Sequence, residues 1–321
     1  MRRVVKLAVL FAALLAPPAE AWNNAGHRLI AALAYDELTP AARAGVDELL
    51  RRHPDYELFV KGTPEDPSAR ARAAFLAASF WADMIRSDPR FYDESGSDAV
   101  PTPALAGFPS MERHRAWHFI NLPISADGTP VKPPSAPNLL AELERLMRDL
   151  GDSVLSPAQR SYDLVWLLHL VGDVHQPLHC IRWFSEAHPE GDGGGNRFFV
   201  EGRQSLHAFW DQLAGTDSSD ANLARMVREI RGEYQEPLGL AQGARSGVPD
   251  AWLEDSVHWA QERVLAFGGQ KGTSEESAVF PIGYRDMARL LARQQWALAG
   301  HRLAEILTSS FRNSGPSTGR N

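Results

Sequence analysis

Residues 158–175 read as one helix that is apolar on nearly every face, yet it carries a histidine and an aspartate near its C-terminal end. Leu164, Leu167, Leu168 and Val171 recur at i, i+3, i+4 and i+7, the spacing of a face turned to a core. The flanking positions are also apolar, which places the helix at the centre of a fold. His169 and Asp173 are four residues apart, so both project from one side of it. A charged carboxylate in such surroundings is costly unless something neutralises it. An imidazole nitrogen and a carboxylate oxygen on one helix face can reach a single cation at about 2.0–2.2 Å, the distances zinc prefers. For a single pair a hydrogen bond on a helix surface explains as much. The segment LHAFWD repeats the spacing with His207 and Asp211.

Helix dominates the rest of the chain. Leu139, Leu143, Leu146 and Leu150 give 139–150 an amphipathic period, with Glu142, Glu144, Arg145 and Arg148 between them. Residues 23–37, 68–85, 221–233, 249–267 and 284–307 also read as helices, and 197–201 as a short hairpin strand. Pro and Gly mark loops at 87–110, 123–137, 188–196 and 238–247. No internal repeat and no break in composition divides the chain. The expected fold is therefore all-α, a single mostly helical domain.

The N-terminus reads as an export signal. Arg2, Arg3 and Lys6 precede an apolar stretch at 7–16, and Ala19-Glu20-Ala21 supplies a cleavage site. Ten apolar residues fall well short of the ~20 that span a bilayer. The expected division is a leader at 1–21, a folded domain at 22–308 and a disordered tail at 309–321, with the product secreted or periplasmic. No later stretch is apolar enough to cross a membrane. Losing the leader takes the formal charge from −7 to −9, which argues against an electrostatic grip on DNA. It leaves open a phosphate substrate whose charge is met by metal cations. Cys180 is the single cysteine, so no disulfide forms within the chain.

The segment HLVGDVHQPLH, from His169 to His179, resembles the central motif of the zinc-dependent single-strand-preferring nucleases. These are the fungal and plant type I nucleases and their bacterial relatives, in the superfamily that also holds the bacterial zinc phospholipases C. WNNAGH from Trp22, FWAD from Phe80, WHFINLP from Trp117 and LHAFWD from Leu206 extend the likeness in the family's order across most of the mature chain. The resemblance implies a trinuclear zinc cleft. One zinc would take Asp83, His118, His169 and Asp173. A second, sharing Asp173, would take His27 with the amino nitrogen and carbonyl oxygen of Trp22. A third would take His179, His207 and Asp211. The Trp22 chelate forms a five-membered ring only after the leader is removed.

The implied reaction is cleavage of single-stranded DNA and RNA to 5′-phosphate products, with 3′-nucleotidase activity. Asp83 and Asp173 would flank a hydroxide shared by bridged zincs. Arg86, one turn from Asp83, is a candidate phosphate contact, with a plain surface charge as the alternative. Phe119 is a candidate base-stacking platform, with a core side chain as the alternative. Asn121 stands where fungal and plant relatives carry Asp, and it cannot act as a base. His175 lies off the His169–Asp173 face and is expected near the ligands or in the core but not among them. The WHFIN frame favours His118 over His114, and His53, His188, His258 and His301 have no partner at ligand spacing. The Gly-rich run 192–196 lacks a phosphate-loop pattern and reads as a tight turn between helices near the metals. A phospholipase C on the same scaffold is the nearest alternative, although those enzymes carry Glu where Asp211 stands. A protein with purely structural zinc is less in keeping with oxygen-rich ligation, since structural sites are closed and thiolate-rich.

Overall fold

The computed structural model describes residues 22–94, 96, 102–234 and 247–312. The leader at 1–21, most of the loop at 238–247 and the tail beyond residue 312 lie outside the described residues. The fold is mostly helical. In chain order its first half contains α1 (Asn24–Glu37), α2 (Pro40–Leu50), α3 (Tyr56–Phe59), α4 (Pro67–Ala78), α5 (Trp81–Met84), a single 3-10 turn (Arg115–His118) and strand β1 (Leu122–Ser125). The remainder runs through α6 (Leu139–Leu150), α7 (Pro157–Val174), α8 (Pro177–Cys180), β2 (Ile181–Phe184), β3 (Phe199–Val200) and β4 (Gln204–Ser205). It ends with α9 (Leu206–Asp211), α10 (Asp220–Glu233), α11 (Pro249–Trp259) and α12 (Tyr284–Ser310).

α7 is the axis. Every residue from Ser161 to Val174 is buried, and α1, α2, α4, α5, α6, α11 and α12 all pack against it. Ser156 starts the helix by accepting the Gln159 N–H at 3.1 Å, with Pro157 in the first turn. Pro177 follows its end, where a helix cannot easily continue. The largest enclosed side chains are Trp22, Trp81, Trp166, Trp210, Trp252 and Trp296. α1 lies between α7 and α12 and touches both through glycines. A Cβ on Gly300 would stand 2.7 Å from the Leu33 Cβ, and one on Gly172 would stand 2.7 Å from the His27 Nδ1.

Several expectations change. The helix expected over 68–85 is two helices, broken at Ser79 and Phe80. The Asp83 N–H bonds to the Phe80 carbonyl instead of reaching back to Ser79, which leaves the Ser79 carbonyl free for another partner. The helix expected over 249–267 ends at Trp259 and continues as one π turn, Ala260–Val264. α2 was not foreseen. It is short, and Thr39 caps it just two residues after α1 ends. The loop expected at 123–137 begins inside β1, which pairs in parallel with β2 in the register Leu122↔Ile181 to Ser125↔Phe184. The hairpin strand expected at 197–201 is β3, paired with β4. Of the tail expected at 309–321, residues 309 and 310 belong to α12, Phe311 is buried at the position where a Cβ on Gly45 would fall, and residues 313–321 lie outside the described residues. Among the described residues no helix is long and apolar enough to cross a membrane.

Gly172 supplies a test of the α1–α7 contact. Glycine inside a helix costs about 1 kcal/mol relative to alanine, so Gly172→Ala improves the propensity of α7. The added methyl meets His27, which is buried and stacked on His169 at 4.0 Å and has nowhere to move. Overpacking of this kind costs roughly 1–3 kcal/mol. The variant is expected to melt at a lower temperature than the parent, and an unchanged or higher Tm would contradict the contact.

Candidate metal centre

The fold first gathers five donors from four separated segments. α7 presents His169 and Asp173, α1 presents His27, α5 presents Asp83, and the 3-10 turn presents His118. All five are buried. The His169 Nε2 lies 3.0 Å from the His118 Nδ1, 3.3 Å from the Asp173 Oδ2 and 3.8 Å from the Asp83 Oδ1. The two oxygens of Asp173 face opposite ways: Oδ2 lies 3.1 Å from His118, while Oδ1 lies 3.5 Å from the His27 Nε2. That is the arrangement a bridging carboxylate needs. A second cluster joins His179 from α8 to His207 and Asp211 from α9. Its Nε2 atoms are 3.1 Å apart, and Asp211 Oδ2 is 3.3 Å from His207.

These spacings fit cations. Two donors each about 2.0–2.1 Å from one tetrahedral ion are roughly 3.3 Å apart. The ring orientations are fixed from behind, as is usual for ligating histidines. His169 Nδ1 donates to the Ser79 carbonyl at 2.9 Å, the one freed by the break before α5. His179 Nδ1 donates to the His118 carbonyl at 2.6 Å, and His207 Nδ1 to the Gly194 carbonyl at 2.5 Å. With both Nδ1 protons so engaged, the Nε2 lone pairs of neutral His179 and His207 point at each other. A cation between them resolves that opposition. Both oxygens of Asp83, the Asp173 Oδ1, the Asp211 Oδ2 and both ring nitrogens of His27 are enclosed without a hydrogen-bond partner.

Within the two clusters three triads of side chains are positioned to hold metal: His27–Asp83–His169 and His118–His169–Asp173, which share His169, and His179–His207–Asp211. Trp22 is buried, with its ring edge-on to Trp296 at 5.3 Å. The next residue, Asn23, bonds through its N–H to the Asp211 carbonyl at 3.1 Å. Arg86 lies 3.3 Å from the Asp83 Oδ1, at the edge of the first cluster. Phe119 is 38% exposed and therefore not a core side chain. Asn121 has φ +60°, a left-handed conformation that asparagine tolerates better than most residues. His175 belongs to a different network: its Nε2 accepts from the Arg302 guanidinium at 2.9 Å, and Arg302 also pairs with Asp255 at 2.6 Å. His114 stacks on Trp117 at 3.8 Å, and His53 packs against Phe59 and Trp81. His188 bonds to the Lys271 carbonyl, and His301 to Glu37. The Gly-rich run is close to the second cluster, but it joins β2 to β3 instead of joining two helices.

Two positioning groups escape a search for ligands. Gln176 is fully buried; its Nε2 donates to the Asp211 Oδ1 at 2.8 Å while its Oε1 accepts the Leu178 N–H at 2.7 Å. One amide thus orients Asp211 and caps the helix that carries His179. Its signal was its place between Asp173 and His179 in the motif. Asp192 is buried and accepts N–H groups from Trp183, Gly194 and Gly195, which holds the Gly194 carbonyl against His207. Gly194 itself has φ +63°, and a Cβ there would fall 2.4 Å from the Leu178 carbonyl.

Burial governs how tightly the side chains of the two clusters hold protons. It pushes the Asp173 carboxyl up to about 6, a rise that His169 partly offsets, and it raises Asp211 well above the usual carboxylate range. His207 is lowered by burial to about 4, and His27, His118 and His179 are lowered for the same main reason. Burial also pulls on His169, but Asp173 and Asp83 outweigh it and leave that ring raised. Without a cation Asp173 and Asp211 therefore hold protons more tightly than free carboxyls do, and a metal competes with those protons.

Two outcomes follow. Metal affinity is expected to weaken progressively as pH falls below about 6, where Asp173 takes up its proton; affinity flat from pH 7 to 5 in titration calorimetry would contradict this. Gln176→Met keeps the volume and removes both hydrogen bonds. Losses from outer-shell partners are typically about 10–100-fold in metal affinity. The loss is expected at the His179–His207–Asp211 cluster, seen as one metal fewer on dialysis.

Comparison with known families agrees with the geometry. A search of curated proteins finds no match. The S1/P1 nuclease family model matches residues 22–312. That family is metal-dependent and acts on phosphodiester bonds of nucleic acid. The clustered His/Asp donors and a match across nearly all of the described chain lead to one assignment: the chain belongs to the S1/P1 nuclease family.

Proposed function

We propose that the chain is a zinc-dependent phosphodiesterase that cleaves single-stranded DNA and RNA to 5′-phosphate products and also acts on 3′-nucleotides, with three zinc ions per chain. The observation that carries this reading is the convergence of buried, unpartnered oxygen and nitrogen donors in two adjoining clusters, one of them built around a carboxylate that faces both ways. One zinc would be held by Asp83, His118, His169 and Asp173, the second by His27, Asp173 and the Trp22 amine and carbonyl, and the third by His179, His207 and Asp211. When bound, the ions supply Lewis acidity and an attacking water that is reactive near neutral pH.

The chain's own groups do the rest. Arg86 offers a guanidinium fork to a phosphate beside Asp83. Phe119 exposes an aromatic face next to His118, suited to stacking on a base. Asn121 can hydrogen-bond but cannot take a proton, so proton transfer does not depend on it. Lifting a base out of a duplex costs a few kcal/mol, which favours single strands. The leader at 1–21 would direct export to the periplasm or beyond and free the Trp22 amine. In support, the family match begins at residue 22.

The test is one panel. Processed protein is assayed for zinc by elemental analysis and for activity on single-stranded DNA, RNA, a 3′-nucleotide and phosphatidylcholine, before and after chelation. About three zinc ions and chelator-sensitive cleavage of the nucleic acids are expected. Cleavage of phosphatidylcholine alone would favour the phospholipase reading, and fewer zinc ions in active protein would overturn the ligand sets. Asp173→Asn is expected to abolish activity together with metal, whereas His175→Ala lowers Tm with metal retained, because its partner is Arg302.

A further inference from the structure

Arg182 lies in β2, three residues beyond His179 and opposite Pro123. Its aliphatic stem is laid over Gly191, where a Cβ would stand 2.5 Å from both its Cγ and Cδ. Its Nε is enclosed without a hydrogen-bond partner, and among the described residues it forms no ion pair. Arg197 flanks the same turn. Its Nε would be 3.7 Å from a Cβ on Gly193, and its Nη2 donates to the Gly191 carbonyl at 2.6 Å. Burial and the neighbouring Arg197 lower the basicity of Arg182, and only Asp192 opposes them. Asp192 is already committed to three backbone N–H groups, and Glu190 pairs with Lys132.

Two guanidinium groups thus flank one turn whose buried carboxylate, Asp192, is taken up by backbone N–H groups. Arg182 is partly buried beside the exposed Arg197, the two like charges repel, and an anion lying against both relieves that repulsion. Guanidinium forks match phosphate bidentately. The place of the pair suits the reaction. Its turn also holds the Gly194 carbonyl against His207, and Arg182 follows His179 so closely that their Cα atoms are at most ~11 Å apart.

We propose that Arg182 and Arg197 form a phosphate subsite that grips a nucleic-acid strand beside the metal centre, contacting a phosphate that flanks the one being cleaved. The proposal rests on the nuclease reading and deepens it, since it concerns polymeric substrate and not mononucleotides.

The test compares kcat/KM on a short single-stranded oligothymidylate and on a 3′-mononucleotide across a range of salt, using metal-loaded protein. For single strands each phosphate contact contributes about 0.7 to the slope of log affinity against log salt. Arg182→Gln and Arg197→Gln are each expected to reduce the oligonucleotide slope by about that amount and to lower the oligonucleotide-to-mononucleotide ratio of kcat/KM. Arg182→Lys retains the slope, because the charge is kept, and Arg289→Gln, at an exposed position of α12, serves as the control. Should Arg182→Gln fail to fold, exposed Arg197 carries the test alone. Unchanged slopes in folded variants of an enzyme that cleaves oligonucleotides would overturn the subsite and leave the nuclease reading intact. A parent protein that cleaves neither substrate would overturn that reading itself.

Discussion

Asp173 is a carboxylate enclosed by an apolar helix, and much of the structure is arranged around it. Its burial raises its affinity for a proton, and the isolated cost of such a charge is several kcal/mol. Histidines from three elements therefore converge on its two oxygens: His118 and His169 on one, His27 on the other. Each makes a demand on the backbone. His27 reaches Asp173 only because Gly172 lacks a side chain, and α1 must then lie tight against α7. His118 comes in on a 3-10 turn whose left-handed entry at His114 redirects the chain.

The same logic extends outward through backbone carbonyls. The break between α4 and α5 releases the Ser79 carbonyl to orient His169 and brings Asp83 to the cluster on the next turn. The 3-10 turn contributes a ligand and, through the His118 carbonyl, the anchor for His179. Gly194 plays that part for His207, in a turn organised by the buried Asp192. Irregular backbone here is functional in a physical sense. A carbonyl inside a continuous helix is engaged by its own ladder, so orienting an imidazole requires a place where the ladder is interrupted.

The two clusters are joined by covalent and hydrogen-bonded links. Asp173, Gln176 and His179 lie within seven residues at the end of α7, and Gln176 reaches Asp211 across the fold. Parallel pairing of β1 with β2 continues the link, because the strands emerge just after the His118 and His179 segments. On the opposite side of α7, the buried Arg302 is held by His175 and Asp255 and keeps its charge away from the carboxylates.

Much of this was legible in the sequence because it is local. The i, i+4 pairs His169–Asp173 and His207–Asp211 need just one helical turn each, and the apolar faces of α7 announce its burial. The off-face position of His175 follows from the same periodicity. Family resemblance joined His27, Asp83 and His118 to that frame, which periodicity alone could not. Tertiary structure decided what depends on distant partners. The break at Ser79 is set by His169, ninety residues away, and the β1–β2 pairing by segments with no alternating pattern. Whether Phe119 enters the core, which group Gln176 orients and what remains unpaired beside Arg182 are likewise matters of contact between remote segments. A sequence records helix faces and spacings because those arise within a few residues. It does not record which carbonyl is left free or which charge lacks a partner, because those follow only once the whole chain has packed.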